Sequence, residues 1–112
     1  EMQKVSQGVI GLLETMEEAL NHILLQLDEL RPEESLAMLT DFADGLRSIE
    51  ESLARTLPQA TIAHGANLRR ALTCTLDAYQ NREIASVKEQ VRNHLLPSFK
   101  QWRTGVQSKL NS

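Results

Sequence analysis

The chain has 112 residues, of which 41% are hydrophobic and 24% charged, with a formal net charge of −3. That length builds one core without staples, so a single helical domain spanning 1–112 is expected. The acidic balance opposes a nucleic-acid role, which needs a basic face to displace counterions. The 4% aromatic content leaves no stacking platform for single strands. Cys74 is the single cysteine, which excludes an internal disulfide and fits a reducing, cytoplasmic setting.

Four stretches carry apolar residues at helical spacing. In the first, Val5, Val9, Leu12, Met16, Ala19, Ile23, Leu27 and Leu30 follow at gaps of three or four, which return to one face of a helix. Arg31-Pro32-Glu33-Glu34 ends it, because the residue before a proline is pushed out of the α region. Pro32 then suits the first turn of a second helix, where a missing N–H costs nothing and acidic residues meet a favourable dipole. That helix carries Leu39, Phe42, Leu46, Ile49 and Leu53, a seam suited to packing against other helices.

Leu57-Pro58 marks the next break. The third stretch is the weakest, with Ile62, Leu68, Leu72, Leu76 and Tyr79 among Ala60, Ala63, Gly65, Ala66 and Ala71. Small side chains let such a helix approach its neighbours closely. Asn81-Arg82-Glu83 closes it, with Asn81 the residue expected to take the left-handed conformation. The fourth stretch runs Ile84, Val87, Val91, Leu95, Trp102, Val106 and Leu110. Pro97 lies within it and removes one hydrogen bond, so a kink or a break is expected there, the kink being favoured. Short connections make neighbouring helices antiparallel. The expected fold is all-α, an antiparallel up-down-up-down four-helix bundle with its last helix kinked or broken near Pro97. No stretch approaches the roughly 18 apolar residues of a membrane span.

Chemistry is sparse. A di-metal bundle uses Glu-x-x-His on two helices. Here His22 follows Glu18 by four, and His94 follows Glu89 by five. Cys74, His22, His64 and His94 do not form a closed zinc set by spacing. No Gly-x-Ser-x-Gly and no Gly-x-x-x-x-Gly-Lys occurs. Gly8 and Gly11 mark fraying or close packing in the first helix. Cys74 reads as a small, semi-buried residue. The expectation is therefore a protein that is not an enzyme and takes no cofactor.

Two features exceed what a bare bundle requires. Ile10, Leu13, Leu20, Leu24 and Leu25 widen the apolar arc of the first helix beyond one stripe. They are either buried between two neighbours or form an interface. Trp102 anchors the segment beyond Pro97. The candidate interface residues are Ile10, Leu13, Leu25, Phe99 and Trp102, and the expected partner is a protein helix or a second copy in a homodimer.

The segments Asp41-Phe42-Ala43-Asp44-Gly45-Leu46-Arg47-Ser48-Ile49 and His94-Leu95-Leu96-Pro97-Ser98-Phe99-Lys100-Gln101-Trp102 resemble patterns in a family of short, uncharacterised helical proteins of Gram-positive bacteria. The likeness covers the chain from about Leu12 onward. Its strongest elements are the Gly45-Leu46 pair and Leu96-Pro97 followed by Trp102. Both are packing motifs, so the resemblance implies a bundle and transfers no activity. In size, acidity and helical content the chain is also similar to the small helical chaperones of flagellar and secretion systems, an analogy at the level of fold alone. The functional expectation is a cytoplasmic, non-enzymatic interaction module of unknown process. The alternatives are such a chaperone, or a ligand- or metal-binding bundle with His22, His94 and nearby carboxylates inside. The opening Glu1-Met2 suggests a processed or recombinant end, so a module cut from a longer chain stays among the readings.

Overall fold

A computed structural model describes residues 2–29 and 32–110, with side chains placed within 7–29 and 33–110. Helix α1 (Met2–Asp28) is followed by α2 (Pro32–Leu53) and α3 (Gln59–Gln80). The fourth helix joins α4 (Ile84–Gln90), a π-helical turn (Val91–Leu95) and α5 (Leu96–Leu110). Among the described residues there is no strand. At 1.5 Å per residue α1 is about 40 Å long, and the bundle measures 43 × 23 × 18 Å. The antiparallel four-helix bundle is the fold that the spacing predicts.

Helix α2 matches its sequence most closely. It opens at Pro32 with Glu33 and Glu34 in its first turn, and all five seam residues, Leu39, Phe42, Leu46, Ile49 and Leu53, are buried. The seam of α1 differs from the expected one. The buried set is Val9, Leu13, Met16, Leu20, Ile23 and Leu27, an alternation of gaps of four and three. Leu12 and Ala19 flank it, half-buried. The side chain of Val5, and all of Leu30 and Arg31, lie outside the described residues.

In α3 the seam is shifted by one residue at its start. Thr61, Gly65, Leu68, Leu72 and Thr75 are buried, whereas Ile62 is exposed. Thr75 satisfies its hydroxyl by donating to the Ala71 carbonyl at 2.8 Å. The close of this helix also departs from expectation. Asn81 keeps a helical φ of −83°, and Arg82 takes the left-handed conformation at φ 60°. The Arg82 N–H donates to the Tyr79 carbonyl and the Glu83 N–H to the Ala78 carbonyl, both at 3.0 Å. These two bonds form a Schellman close, and the residue at its left-handed position is set by where the bonds fall.

The fourth helix runs on through Pro97. Its buried residues Val87, Val91, Leu95 and Phe99 are spaced by four each time, then Trp102 and Val106 follow. On a regular α-helix a gap of four overshoots one turn by about 40°, so three in succession carry the face round by about 120°. The π-turn takes more residues per turn and removes that drift. It closes with the Leu96 N–H donating to the Val91 carbonyl. A widened turn also relieves the crowding that a proline ring imposes on the carbonyl four residues earlier. The kink therefore has a packing purpose: it lets both halves of the helix face one core.

Close backbone approaches join α1 to α2 and α3 to the fourth helix, and α1 meets the fourth helix along all three of its parts. Between them lies the aromatic centre of the core. Phe42 and Phe99 meet edge to face with ring centroids 5.5 Å apart, and Phe99 and Trp102 lie at 6.1 Å. Edge-to-face pairs add roughly 0.5–1.5 kcal/mol beyond the area they bury.

Glycines permit the closest approaches. A Cβ on Gly65 would lie 3.3 Å from Trp102 Nε1, and one on Gly45 3.1 Å from Met16 Sδ. On Gly105 it would come within 3.0 Å of Thr61 Cγ2 and closer still to the Thr61 hydroxyl. Gly8 and Gly11 differ, since a Cβ there meets nothing within 4 Å. They do not serve close packing, contrary to one of the two expectations for them. An interior helical glycine costs about 0.5–1 kcal/mol against alanine. Gly11→Ala should therefore raise stability by about that amount, while Gly105→Ala should lower it by roughly 1–3 kcal/mol through overpacking. Urea melts followed by circular dichroism read both.

The π-turn yields a second expectation. Deleting Asn93 together with Pro97→Ala turns the seam of the fourth helix into a regular alternation of four and three, and the protein should keep its cooperative melt. Deleting Thr40 from α2, where no drift needs correcting, turns everything beyond it by about 100° and should abolish that melt. Thermal unfolding of the two proteins decides between a register device and a local irregularity.

Candidate interaction surface

The five candidate interface residues separate into two groups. Leu13, Phe99 and Trp102 have 0% exposure. They are core, and in this conformation they present nothing to a partner. The extra leucines of α1 are explained in large part by its two neighbours: Leu13 and Leu20 are fully buried, and Ile10 and Leu24 are half-buried. Leu25 is the exception at 50% exposure. It stands on the outer side of α1 in a stripe with Glu14, Glu18, His22 and Glu29, all exposed and spaced by three or four. Among the described residues, Leu36 on α2 and Ile62 on α3 are the other large apolar residues with exposed side chains. Sequence periodicity missed both, although the gap of six from Ile62 to Leu68 was a sign that Ile62 lies off the seam.

The polar groups do not converge. His22 and His94 are exposed, so neither points into the bundle as the ligand-binding alternative requires. Among the described residues no group of three or more His, Cys, Asp and Glu side chains is placed to hold a metal ion. Cys74 is exposed rather than semi-buried. Two buried polar groups are notable. Trp102 Nε1 has no hydrogen-bond partner, and a Cβ on Gly65 would lie 3.3 Å from it and 3.2 Å from Glu50 Oε2. Ser35 and Tyr79 share a hydrogen bond of 2.5 Å between α2 and α3.

Ion pairs link the two hairpins. Glu17 accepts from Arg103, Asp28 from Lys88, and Glu50 from Arg69. The first two tie α1 to the fourth helix and the third ties α2 to α3. The Arg103 guanidinium carbon also lies 5.7 Å above the Phe99 ring. In each pair the acid comes from the first hairpin and the base from the second. The sequence has the same division throughout. Residues 1–53 hold three basic and twelve acidic side chains, a net −9, while residues 54–112 hold nine basic and three acidic, a net +6. The whole-chain charge of −3 hides this. A count by halves would have revealed it.

No membrane span is found: among the described residues no helix is long and apolar enough to cross a bilayer. These features define a helical bundle whose two hairpins carry opposite charge, with no assembled reactive centre among the described residues. A family model described as Domain of unknown function (DUF8042) matches residues 4–105, and the chain belongs to that family. No curated protein and no solved structure matches it.

Tyr79 supplies a pH expectation. Burial pushes its phenol above the ordinary value of 10.0, and the Ser35 hydrogen bond lowers it by less. The folded protein thus holds this proton more tightly than the unfolded chain. The associated stability is complete below pH about 10 and is lost as pH rises through the higher folded value. The melting temperature should fall over that alkaline range, and Tyr79→Phe should flatten this component of the fall. A slope identical in the two proteins refutes the assignment.

Proposed function

We propose that the chain is a non-enzymatic protein-interaction module that works in the bacterial cytoplasm and docks a partner on the outer face of α1. The observation that carries this reading is Leu25. It is half-exposed on a helix whose other leucines within the described side chains are buried or half-buried, and it is flanked by exposed acidic residues that keep the face soluble. An apolar side chain with a charged surround is the makeup of a small interface, in which the apolar residue anchors and the charges orient. The exposed, unpaired Cys74 is compatible with a reducing compartment.

Leu25→Asp tests the reading because the residue lies outside the core. The variant should keep the helical spectrum and a stability within about 0.5 kcal/mol of the parent. It should lose association, whether with a captured chain or with a second copy, read by affinity capture and by light scattering across concentration. Association unchanged in the variant sinks the assignment of this face.

A further inference from the structure

We propose that the partner of the α1 face is a second copy of this chain, with the acidic first hairpin of one molecule docking on the basic second hairpin of the next. The inference rests on the interaction reading above and names its occupant. Its basis is the division of charge. The first hairpin is strongly acidic and the second strongly basic, and acid–base pairs of Glu17, Asp28 and Glu50 with Arg103, Lys88 and Arg69 already join them within one molecule. Those pairs engage only part of each set. On the first hairpin Glu14, Glu18, Asp41, Asp44 and Glu51 are exposed. On the second, Arg70, Arg92 and Lys100 are exposed. The chemistry that closes the bundle is thus repeated on its outer surfaces, where the same signs outnumber the exceptions, Arg47 on the first hairpin and Asp77, Glu83 and Glu89 on the second.

Symmetry selects the arrangement. A two-fold dimer through the α1 face would set acidic residues against their own copies, and like charges across an interface are costly. Head-to-tail docking sets acid against base. Leu25 of one molecule then lies against the second hairpin of its neighbour. Such a contact is heterologous, so each added copy leaves the same two surfaces available. Association is therefore expected to pass beyond the dimer as concentration rises.

Sedimentation equilibrium of the full chain, at about 0.05 M and about 0.5 M salt, reads the result, because screening shortens the reach of exposed charges. The average mass should grow with concentration at low salt, and association should be at least about tenfold weaker at high salt. The pair Glu14→Lys with Glu18→Lys, and separately Arg92→Glu with Lys100→Glu, should each abolish growth. Mixing the two variant proteins should restore it, since each then offers the sign the other lacks. Circular dichroism confirms that both are folded. A wild-type chain that stays monomeric at low salt overturns the inference, as does association indifferent to salt or to both pairs of reversals. A monomer that captures a different chain through Leu25 overturns this inference alone. A monomer that captures nothing removes the interaction reading with it.

Discussion

The register of the fourth helix is the constraint on which the bundle depends. Phe99, Trp102 and Val106 are fully buried, and with Phe42 the two aromatics fill the centre of the core. Their burial requires that the helix face inward on both sides of residues 91–95. The four-residue gaps from Val87 to Phe99 cannot do this on an α-helix. The π-turn supplies the missing rotation, and Pro97 sits where the widened turn tolerates it. Everything nearby follows from Trp102 being seated. Gly65 on α3 makes room for the indole. Arg103, one residue on, reaches the edge of the core and is held by Phe99 and Glu17.

Much of this was legible in advance, and the exceptions share a cause. Each break fell where a proline or an Asn-Arg-Glu run put it, and the seam of α2 was complete, because one helix facing one core leaves a single stripe. Helix α1 faces two neighbours. Its apolar arc is wide, several stripes fit it, and spacing alone chose the one running through Leu12 and Ala19 over the one running through Leu13 and Leu20. In α3 the seam is built from Thr61, Gly65 and Thr75, residues that hydropathy does not count. Gly65 lies against Trp102 and Thr61 against Gly105, a fit onto a thin helix that is a tertiary fact. The left-handed residue was assigned to Asn81 by intrinsic preference, yet the Schellman bonds fell one residue later on Arg82.

The candidate surface was less legible for a related reason. Periodicity identifies apolar residues that can share a face, but it does not say how many neighbours that face has. Leu13, Phe99 and Trp102 qualified as interface residues only while the core's demand was unknown. Once the core is assembled, Leu25 is the member of that set left half in water. The charge division is present in the sequence and concealed by averaging, because a net of −3 is an unremarkable number for 112 residues.

Charge and burial do different work in this molecule. Exposed and half-exposed ion pairs contribute about 0–1 kcal/mol each, so those of Glu17, Asp28 and Glu50 cannot hold the hairpins together against a conformational entropy cost that grows with every residue ordered. The apolar core does that. Yet the core is poor at choosing between orientations, because leucine packs acceptably against many surfaces. A hairpin of net −9 is attracted to one of net +6, and Glu17, Asp28 and Glu50 find their bases in the antiparallel arrangement observed. Opposite charges on the two halves therefore select which faces meet, and apolar burial then stabilises the choice. The outer face of α1 repeats that combination on a smaller scale, with Leu25 half-exposed among Glu14, Glu18 and Glu29, and the proposed docking rests on the same division of labour between charge and burial.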